Sequence, residues 1–180
     1  PCYIDGMVWD VTAIHTAYPE YLNNAVRKQI FHKDNNPFIM PIFKRVGSAK
    51  ERKQIIEDEG ACVILATSGM MVGGPSVEYF KELGDNPKNT IVLTCYQGEG
   101  SMGRRIERGE KDFIFKTGAK EEILHMKMEF QKLVVSNHSD RKELMNFISK
   151  CQPRPKKVII NHGENSRCLD LSSSIHKAFR

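Results

Sequence analysis

Two short apolar runs, with helix-like segments around them, dominate the hydrophobic pattern of this chain. Residues 61–66 are apolar without a break, and residues 90–96 form a second, largely apolar run. An unbroken run of this length is typical of a strand that is covered on both faces. Helical patterns occupy residues 48–59 and residues 76–83. The alternation of buried strand and helix over residues 40–109 predicts an α/β fold with a parallel sheet and flanking helices.

Weaker patterns organise the two ends of the chain. Residues 4–11 pass from a strand pattern into a helix pattern. Over residues 124–130 the apolar side chains occupy the even positions, which is the period of a half-exposed strand. A short loop joins this segment to a predicted strand at residues 112–117, so we expect the two to pair antiparallel. The last third predicts helices over residues 139–150 and 167–179.

Two histidines follow short apolar segments that predict strands. His138 comes after residues 133–135, and His162 comes after residues 158–160. Ligands of α/β proteins gather at the carboxyl ends of parallel strands. Two imidazoles at that edge could bind a metal ion or contact a phosphate. The alternative is that each histidine is a polar residue facing water at the end of a strand.

Three serines lie in segments that predict anion contacts. Ser68 belongs to a Gly-rich stretch, residues 67–75, between a strand and a helix that opens with proline, and we expect N–H groups left unbonded there. Ser136 and Ser139 flank His138 near the start of a predicted helix, where hydroxyls suit a phosphate oxygen. For Ser68, the alternative is a tight turn that needs glycine for backbone reasons.

The second Gly-rich loop, residues 97–103, matches the dinucleotide pattern G-x-G-x-x-G. We interpret it otherwise, because the next helix is barely two turns long and the next strand ends in Lys116, where a ribose-binding acid is expected. Arg104 and Arg105 also begin that helix, where cations oppose the helix dipole. Two guanidinium groups there predict a phosphate contact, and the alternative is a solvated or salt-bridged pair.

Composition narrows the class of protein. The chain has 180 residues, five more basic than acidic side chains and no apolar run long enough to span a bilayer, so we expect no membrane association. Its five cysteines show no C-x-x-C spacing, which predicts reduced thiols and a cytoplasmic location. It starts inside a strand pattern without methionine, and we expect a fragment of a longer protein.

Four ordered motifs resemble the β-CASP branch of the metallo-β-lactamase nucleases, and within it the archaeal homologues of the cleavage and polyadenylation specificity factor endonuclease. They are TSGMM at residues 67–71, CYQGEGSMGRRI at 95–106, SNHSD at 136–140 and VIINHGE at 158–164. The resemblance implies a β-CASP domain over residues 1–133. It also implies that residues 134–180 are the C-terminal segment of a metallo-β-lactamase domain.

The resemblance also implies an activity. Family members bind two zinc ions, which hold a hydroxide that attacks RNA lying between the two domains. His138 matches the histidine that contacts the scissile phosphate, and His162 matches a zinc ligand. The H-x-H-x-D-H motif that supplies most zinc ligands is absent from this sequence. We therefore expect the isolated chain to be inactive and to bind little or no zinc.

The sequence thus predicts part of a zinc-dependent endoribonuclease that acts on single-stranded RNA in 3′-end processing and transcription termination. Its parent is expected to form a homodimer, as family members often do. Ser68, Arg104 and Arg105 are the predicted RNA contacts in the first domain. One alternative is a non-catalytic RNA-binding scaffold of the same family. Another is a small-molecule enzyme that uses residues 98–103 to bind a dinucleotide.

Overall fold

The structure is a computed structural model that describes residues 1–118, 120–133, 135 and 138–179. The chain divides into two compact units, Pro1–Val135 and Ser136–Arg180. The sequence predicts a boundary after residue 133.

The first unit alternates strands and helices along most of its length. Its strands are β1 (Cys2–Asp5), β2 (Phe43–Val46), β3 (Val63–Ala66), β4 (Thr90–Leu93), β5 (Asp112–Thr117), β6 (Lys120–His125) and β7 (Glu129–Lys132). Its helices are α1 (Met7–Ala17), α2 (Asn24–Lys33), α3 (Ala49–Glu57), α4 (Pro75–Leu83) and α5 (Met102–Glu107), with a 3-10 turn at Pro19–Tyr21. The second unit contains α6 (Arg141–Lys150) and α7 (Asn165–Ala178). None of the helices formed by the described residues is both long enough and apolar enough to cross a bilayer.

Parallel pairing organises two of the three sheets. Strand β1 lies between β2 and β3, parallel to both, and Tyr3 pairs with Lys44 on one side and with Ile64 on the other. Strands β4 and β7 are also parallel. Strands β5 and β6 pair antiparallel. The predicted α/β fold with a parallel sheet, flanking helices and an antiparallel pair is confirmed.

The larger hydrophobic core lies between α4, α5 and strands β4 to β7. Phe80 packs edge-on against Phe113, with ring centroids 5.1 Å apart, and both side chains are almost completely buried. Leu124, Met126 and Met128 are buried as well, so the alternating burial predicted over residues 124–130 is confirmed. Met102, the first residue of α5, packs against this core, and Ile106 of the same helix belongs to it. The single strand predicted over residues 124–130 is wrong, because β6 ends at His125 and β7 begins at Glu129 and pairs parallel with β4.

A buried carboxylate joins the first sheet to two helices. Asp5, at the end of β1, is 2% exposed and accepts hydrogen bonds from Arg52 Nε at 2.8 Å and Arg52 Nη2 at 3.2 Å. The hydroxyl of Tyr79 donates a third hydrogen bond to it at 3.0 Å. Burial, reinforced by this hydrogen bond, raises the pKa of Tyr79. One charge therefore fixes the positions of α3 and α4 against the central strand.

Helix starts follow the local sequence closely. Ser48 caps α3 by accepting a hydrogen bond from the Glu51 N–H at 3.2 Å, as its spacing predicts. The Glu51 carboxylate bonds to the Gly47 N–H at 2.8 Å rather than to Ser48, so the predicted capping box is only half formed. Asp140 and Glu143 form the complete reciprocal box at the start of α6.

Two further strand predictions are wrong. Strand β3 is not covered on both faces, since Val63 is 57% exposed and Leu65 41% exposed at the edge of its sheet. Residues 157–160 do not form a strand, and Ile159 is 80% exposed. An apolar run becomes a strand only where a neighbouring strand completes its hydrogen bonds, and the described elements of the second unit are helices.

The segment before His138 also differs from the prediction of a strand at residues 133–135. Strand β7 ends at Lys132, although the Leu133 and Val135 N–H groups still bond to the Leu93 and Thr94 carbonyl oxygens. Val134 lies outside the described residues.

Replacing Asp5 by alanine should lower the free energy of unfolding by about 3–5 kcal/mol, because three hydrogen bonds to a buried charge are lost and the half-buried Arg52 guanidinium keeps only Glu78 as a partner. Tyr79→Phe removes one hydrogen bond from the same carboxylate and should cost about 2 kcal/mol. Urea denaturation of the two variants measures both values. A smaller loss for Asp5→Ala than for Tyr79→Phe would contradict the central role of the carboxylate.

Candidate functional site

The loop between β3 and α4 is closed by its own hydrogen bonds. Ser68 Oγ accepts from the Val72 N–H at 3.0 Å, and its carbonyl oxygen accepts from the Ser76 hydroxyl at 2.8 Å. At the start of α4, the Ser76 N–H bonds to the Thr67 carbonyl, while the Val77 and Glu78 N–H groups bond to the Gly74 carbonyl.

The N–H groups that the sequence predicts to be unbonded at this helix start are therefore bonded. Pro75 brings no N–H of its own, and the chain folds back so that Thr67 and Gly74 supply the acceptors. A contact between Ser68 and a phosphate stays a prediction. It would use the hydroxyl proton, because a hydroxyl that accepts one hydrogen bond still has a proton to donate.

The two Gly-rich loops lock together through Gln97, whose side chain is completely buried. Its amide nitrogen donates to the Gly69 carbonyl at 2.9 Å and to the Cys95 carbonyl at 3.1 Å. The Gly103 N–H reaches the Met70 carbonyl at 3.3 Å. Sequence reasoning missed Gln97, although a glutamine between an apolar run and a glycine is the signal that could have found it.

Glycine is needed where these loops meet. A Cβ atom on Gly103 would overlap Gln97 Oε1, and one on Gly69 would lie 2.8 Å from Cys95 Sγ. Gly100 has φ +80°, a conformation that favours glycine. Helix α5 has six residues, as short as the sequence predicts. Turn geometry at Gly100 and close packing at Gly103 therefore explain two of the three glycines of the G-x-G-x-x-G pattern without a nucleotide.

Arg104 and Arg105 are both engaged with carboxylates of their own unit. Arg104 Nη1 lies 3.0 Å from Glu107 Oε2, and the side chain is 30% exposed. Arg105 Nε lies 2.7 Å from Glu110 Oε2, and its guanidinium stacks 4.9 Å above the ring centroid of Phe113. This is the salt-bridged alternative that the sequence left open. A phosphate contact by either arginine stays a prediction and would require exchange of an ion pair.

Glu107 joins α5 to β7 through two cations. Lys132 Nζ lies 2.8 Å from one of its carboxylate oxygens, and Arg104 contacts the other. Burial of Glu107 acts to raise its pKa, but the hydrogen bonds and charges of Lys132 and Arg104 outweigh it. The net effect is a lowered pKa.

His138 and Ser139 are exposed at the start of α6. Asp140 caps this helix, with Oδ1 accepting from the Glu143 N–H at 2.8 Å. The helix start thus already has a carboxylate where the sequence predicts a phosphate oxygen. Contact of His138 and Ser139 with a phosphate stays a prediction. Ser136, predicted to share that role, lies outside the described residues.

His162 occupies a tight turn two residues before α7. Its φ is +66°, and its N–H donates to Asn161 Oδ1 at 2.7 Å. A Cβ atom on Gly163 would lie 2.9 Å from Cys168 Sγ, so the turn packs against the first turn of the helix. The imidazole is exposed. Within the described part of the chain, no three His, Cys, Asp or Glu side chains are grouped so that they could hold a metal ion.

The start of α6 lies beside the middle of α7. Arg141, the first residue of α6, pairs with Asp170 and donates to Ser174 Oγ at 2.7 Å. Ile148, near the end of α6, lines one pocket together with Ser172 of α7 and Phe179, which follows α7. Each of the two helices is preceded by one of the predicted histidines.

Comparisons with known proteins identify the family. The Beta-Casp domain matches residues 1–106. The chain belongs to the Beta-Casp family. A second model, the Zn-dependent metallo-hydrolase RNA specificity domain, matches residues 123–180 and so includes both histidines. The resemblance stated from the four sequence motifs is confirmed.

Curated relatives match almost the whole chain but are much longer. Transcription termination factor FttA of Thermococcus kodakarensis is 51% identical over 99% of the chain, which covers 28% of that protein. The protein of the same name from Methanocaldococcus jannaschii is 46% identical over the full chain, which covers 29% of it. The one from Lokiarchaeum is 44% identical over the full chain, which covers 28% of it. The chain thus spans less than a third of these relatives.

Gly103→Ala should destabilise the first unit by about 1–3 kcal/mol, because the added methyl group overlaps the Gln97 amide. The cost should shrink in a Gln97→Ala background, which removes the overlapping atom. Gly98→Ala is the matched control, since its Cβ would lie 3.4 Å from the mobile end of Met70. Thermal unfolding of the wild-type protein, the three single variants and the Gly103→Ala/Gln97→Ala double variant measures these effects. If Gly103→Ala lowers stability as much in the Gln97→Ala background as in the wild type, the Gln97 contact is not the cause.

Glu107→Gln should lower stability at pH 7 by about 1.5–3 kcal/mol, through the loss of its ionic hydrogen bonds. The folded-state pKa is lowered, so this stabilisation is present above the ordinary carboxyl pKa and is lost as pH falls through the lowered value. Urea denaturation of both proteins from pH 7 to acid should show their stabilities converging. A constant difference over that range would be inconsistent with the ion pairs.

Proposed function

We propose that this chain is the Beta-Casp and RNA-specificity part of a zinc-dependent endoribonuclease that forms RNA 3′ ends and terminates transcription. The printed name of the relatives supports the role in termination. The description of the second family model supports zinc chemistry and RNA as the substrate.

One observation carries the proposal. His138 and His162 are both exposed, and each lies two residues before the capping residue of a helix of the second unit. Two exposed imidazoles in equivalent positions before helices suit one metal ligand and one phosphate contact. We assign the metal ligand to His162 and the phosphate contact to His138.

The described residues do not form a complete zinc site. A catalytic zinc needs about three protein ligands, and the described residues offer no such group. The remaining ligands must come from outside this chain, so no reaction step is assigned to the metal here. His162 would contribute one neutral imidazole. His138 would donate a hydrogen bond, or a proton, to an oxygen of the scissile phosphate.

The predicted RNA contacts form the second part of the proposal. Ser139 lies beside His138, and Ser68 lies in the loop that Gln97 locks to residues 97–103. Arg104 and Arg105 would contact RNA by exchanging a carboxylate for a phosphate. Ser136 keeps its predicted role from sequence alone. Pairing of two parent molecules into a homodimer is likewise proposed from the resemblance.

A non-catalytic RNA-binding scaffold is the second candidate. The internal pairing of Arg104 and Arg105 with carboxylates favours it, because the arginines then serve the fold rather than a substrate. A scaffold and an enzyme differ in what His162 does. In the enzyme the His162 imidazole holds a metal, so its removal reduces RNA cleavage. In the scaffold the imidazole has no such role, and its removal has no effect on the RNA.

His162→Ala in the full-length protein should lower bound zinc and reduce RNA cleavage by about 100-fold or more, while RNA binding changes little. His138→Ala should reduce cleavage by about 10²–10⁴-fold without loss of zinc. Zinc content by elemental analysis and single-turnover cleavage of labelled RNA measure the two effects.

His32→Ala is the matched control, because His32 is exposed on α2 in the other unit. Unchanged zinc content and cleavage in His162→Ala would contradict the enzyme proposal. Absence of cleavage by the wild-type protein, with RNA binding intact, would favour the scaffold.

A further inference from the structure

The net positive charge of the chain lies entirely in its last quarter. Residues 1–135 contain eighteen basic and eighteen acidic side chains, and residues 136–180 contain nine basic and four acidic ones. The first unit is therefore neutral overall, and the second carries the whole formal charge of +5. A charge concentrated in 45 residues attracts a polyanion far more strongly than the same charge spread over the chain.

The four acidic side chains of the second unit lie along the starts and the middle of its helices. Asp140 and Glu143 form the capping box of α6. Glu164 occupies the N-cap position of α7, and its carboxylate lies 3.4 Å from Arg167 Nε. Asp170 pairs with Arg141. None of these four acidic residues belongs to the last turn of either helix.

Basic side chains gather at those helix ends. Lys150 ends α6, and His176 and Lys177 lie in the last turn of α7. The loop after α6 adds three more cations in four residues, Arg154, Lys156 and Lys157. Helix carbonyl groups at a C-terminus favour cations nearby, which stabilises this arrangement without a ligand.

Four of these basic residues line a pocket of about 250 Å³. Arg154, Lys156, Lys157 and His176 line it on the polar side, and Phe179 closes it on the apolar side. The Arg154 guanidinium lies 5.9 Å from the centroid of the Phe179 ring, a contact that limits the orientations of its N–H groups. None of the described residues that line the pocket is acidic.

The cations of the loop differ from Arg104, Arg105 and Lys132 of the first unit in their partners. Arg104, Arg105 and Lys132 each lie within 3.0 Å of a glutamate oxygen. Over the described residues, no carboxylate lies within ion-pair distance of Arg154, Lys156 or Lys157. Three neighbouring cations without a counter-charge repel one another, and a bound phosphate would offset that electrostatic repulsion.

We propose that the pocket formed by Arg154, Lys156, Lys157 and His176 binds the phosphate backbone of single-stranded RNA. Guanidinium and ammonium groups recognise phosphate oxygens without reading the base, so the contact is independent of sequence. This inference rests on the proposed function for its choice of RNA as the polyanion. The pocket, rather than Arg104 and Arg105, would make the main electrostatic contact with RNA.

The pocket includes neither of the two predicted catalytic histidines. His176, in the last turn of α7, is separated from His162 by the length of that helix, about 20 Å, whereas Lys157 precedes His162 by five residues. The pocket should contribute affinity and salt dependence, while leaving the chemistry at His138 and His162 unchanged.

The test uses the full-length protein with Arg154, Lys156 and Lys157 all changed to glutamine. All proteins also carry His138→Ala, so that RNA is not cut during titration. Each phosphate contact to a single strand contributes about 0.7 to the slope of log K against log salt. Losing three contacts should reduce the slope by about 2 and weaken binding by about 100-fold at 0.1 M salt.

Lys44→Gln, Lys88→Gln and Lys127→Gln together form the control, because they remove the same charge from exposed positions of the first unit. Binding is measured by fluorescence anisotropy with two unstructured RNAs of unrelated sequence. We expect an equal loss for both RNAs in the pocket variant and little change in the control.

Three results would overturn the inference: an unchanged salt slope, an equal effect of the control variant, or a loss confined to one RNA sequence. Inorganic phosphate, added as a competitor, separates a polyanion site from a site for free phosphate. If inorganic phosphate displaces RNA when the two supply equal concentrations of phosphate groups, that result would also count against an RNA site. Failure of the proposed function would give a different result. The wild-type protein would show no zinc-dependent cleavage, while the slope of log K against log salt would still be smaller in the pocket variant.

Discussion

The buried Asp5 carboxylate is the constraint on which the first unit depends. It ends the central strand of the parallel sheet, and its partners Arg52 and Tyr79 come from α3 and α4, 47 and 74 residues further along the chain. A buried charge is costly unless it is paired and hydrogen-bonded, so competing arrangements of these helices are disfavoured. The same interaction therefore fixes where the loop before α4 emerges from the sheet.

That loop connects the fold to the candidate site. It meets the loop before α5 through one buried glutamine, and neither loop could approach the other with a side chain at Gly69 or Gly103. The interlock makes residues 67–75 and 97–103 one rigid surface rather than two independent turns. Ser68 and the α5 arginines owe their positions to packing, and a substrate contact by either arginine would use a guanidinium that already pairs with a carboxylate of the fold.

The sequence was sufficient where local pattern and tertiary context agree. Alternation over residues 124–130 and the cap at Ser48 depend on near neighbours, and both are present. It failed where the outcome depends on a distant partner, since residues 157–160 have a strand-like composition but pair with no strand of the described residues. For Arg104 and Arg105 the sequence left a phosphate contact and a salt bridge open, although their partners Glu107 and Glu110 are only three and five residues away. Hydrophobicity predicts burial, whereas pairing depends on which elements meet in three dimensions.

The backbone of His162 sets a limit on how this protein can be stabilised. Its left-handed conformation is one that asparagine and glycine adopt more readily than histidine does. Selection for thermal stability alone would therefore tend to replace this residue, even though the fold keeps its shape. A library screened only for heat resistance would gradually lose the imidazole, and with it the ligand that we assign to this turn.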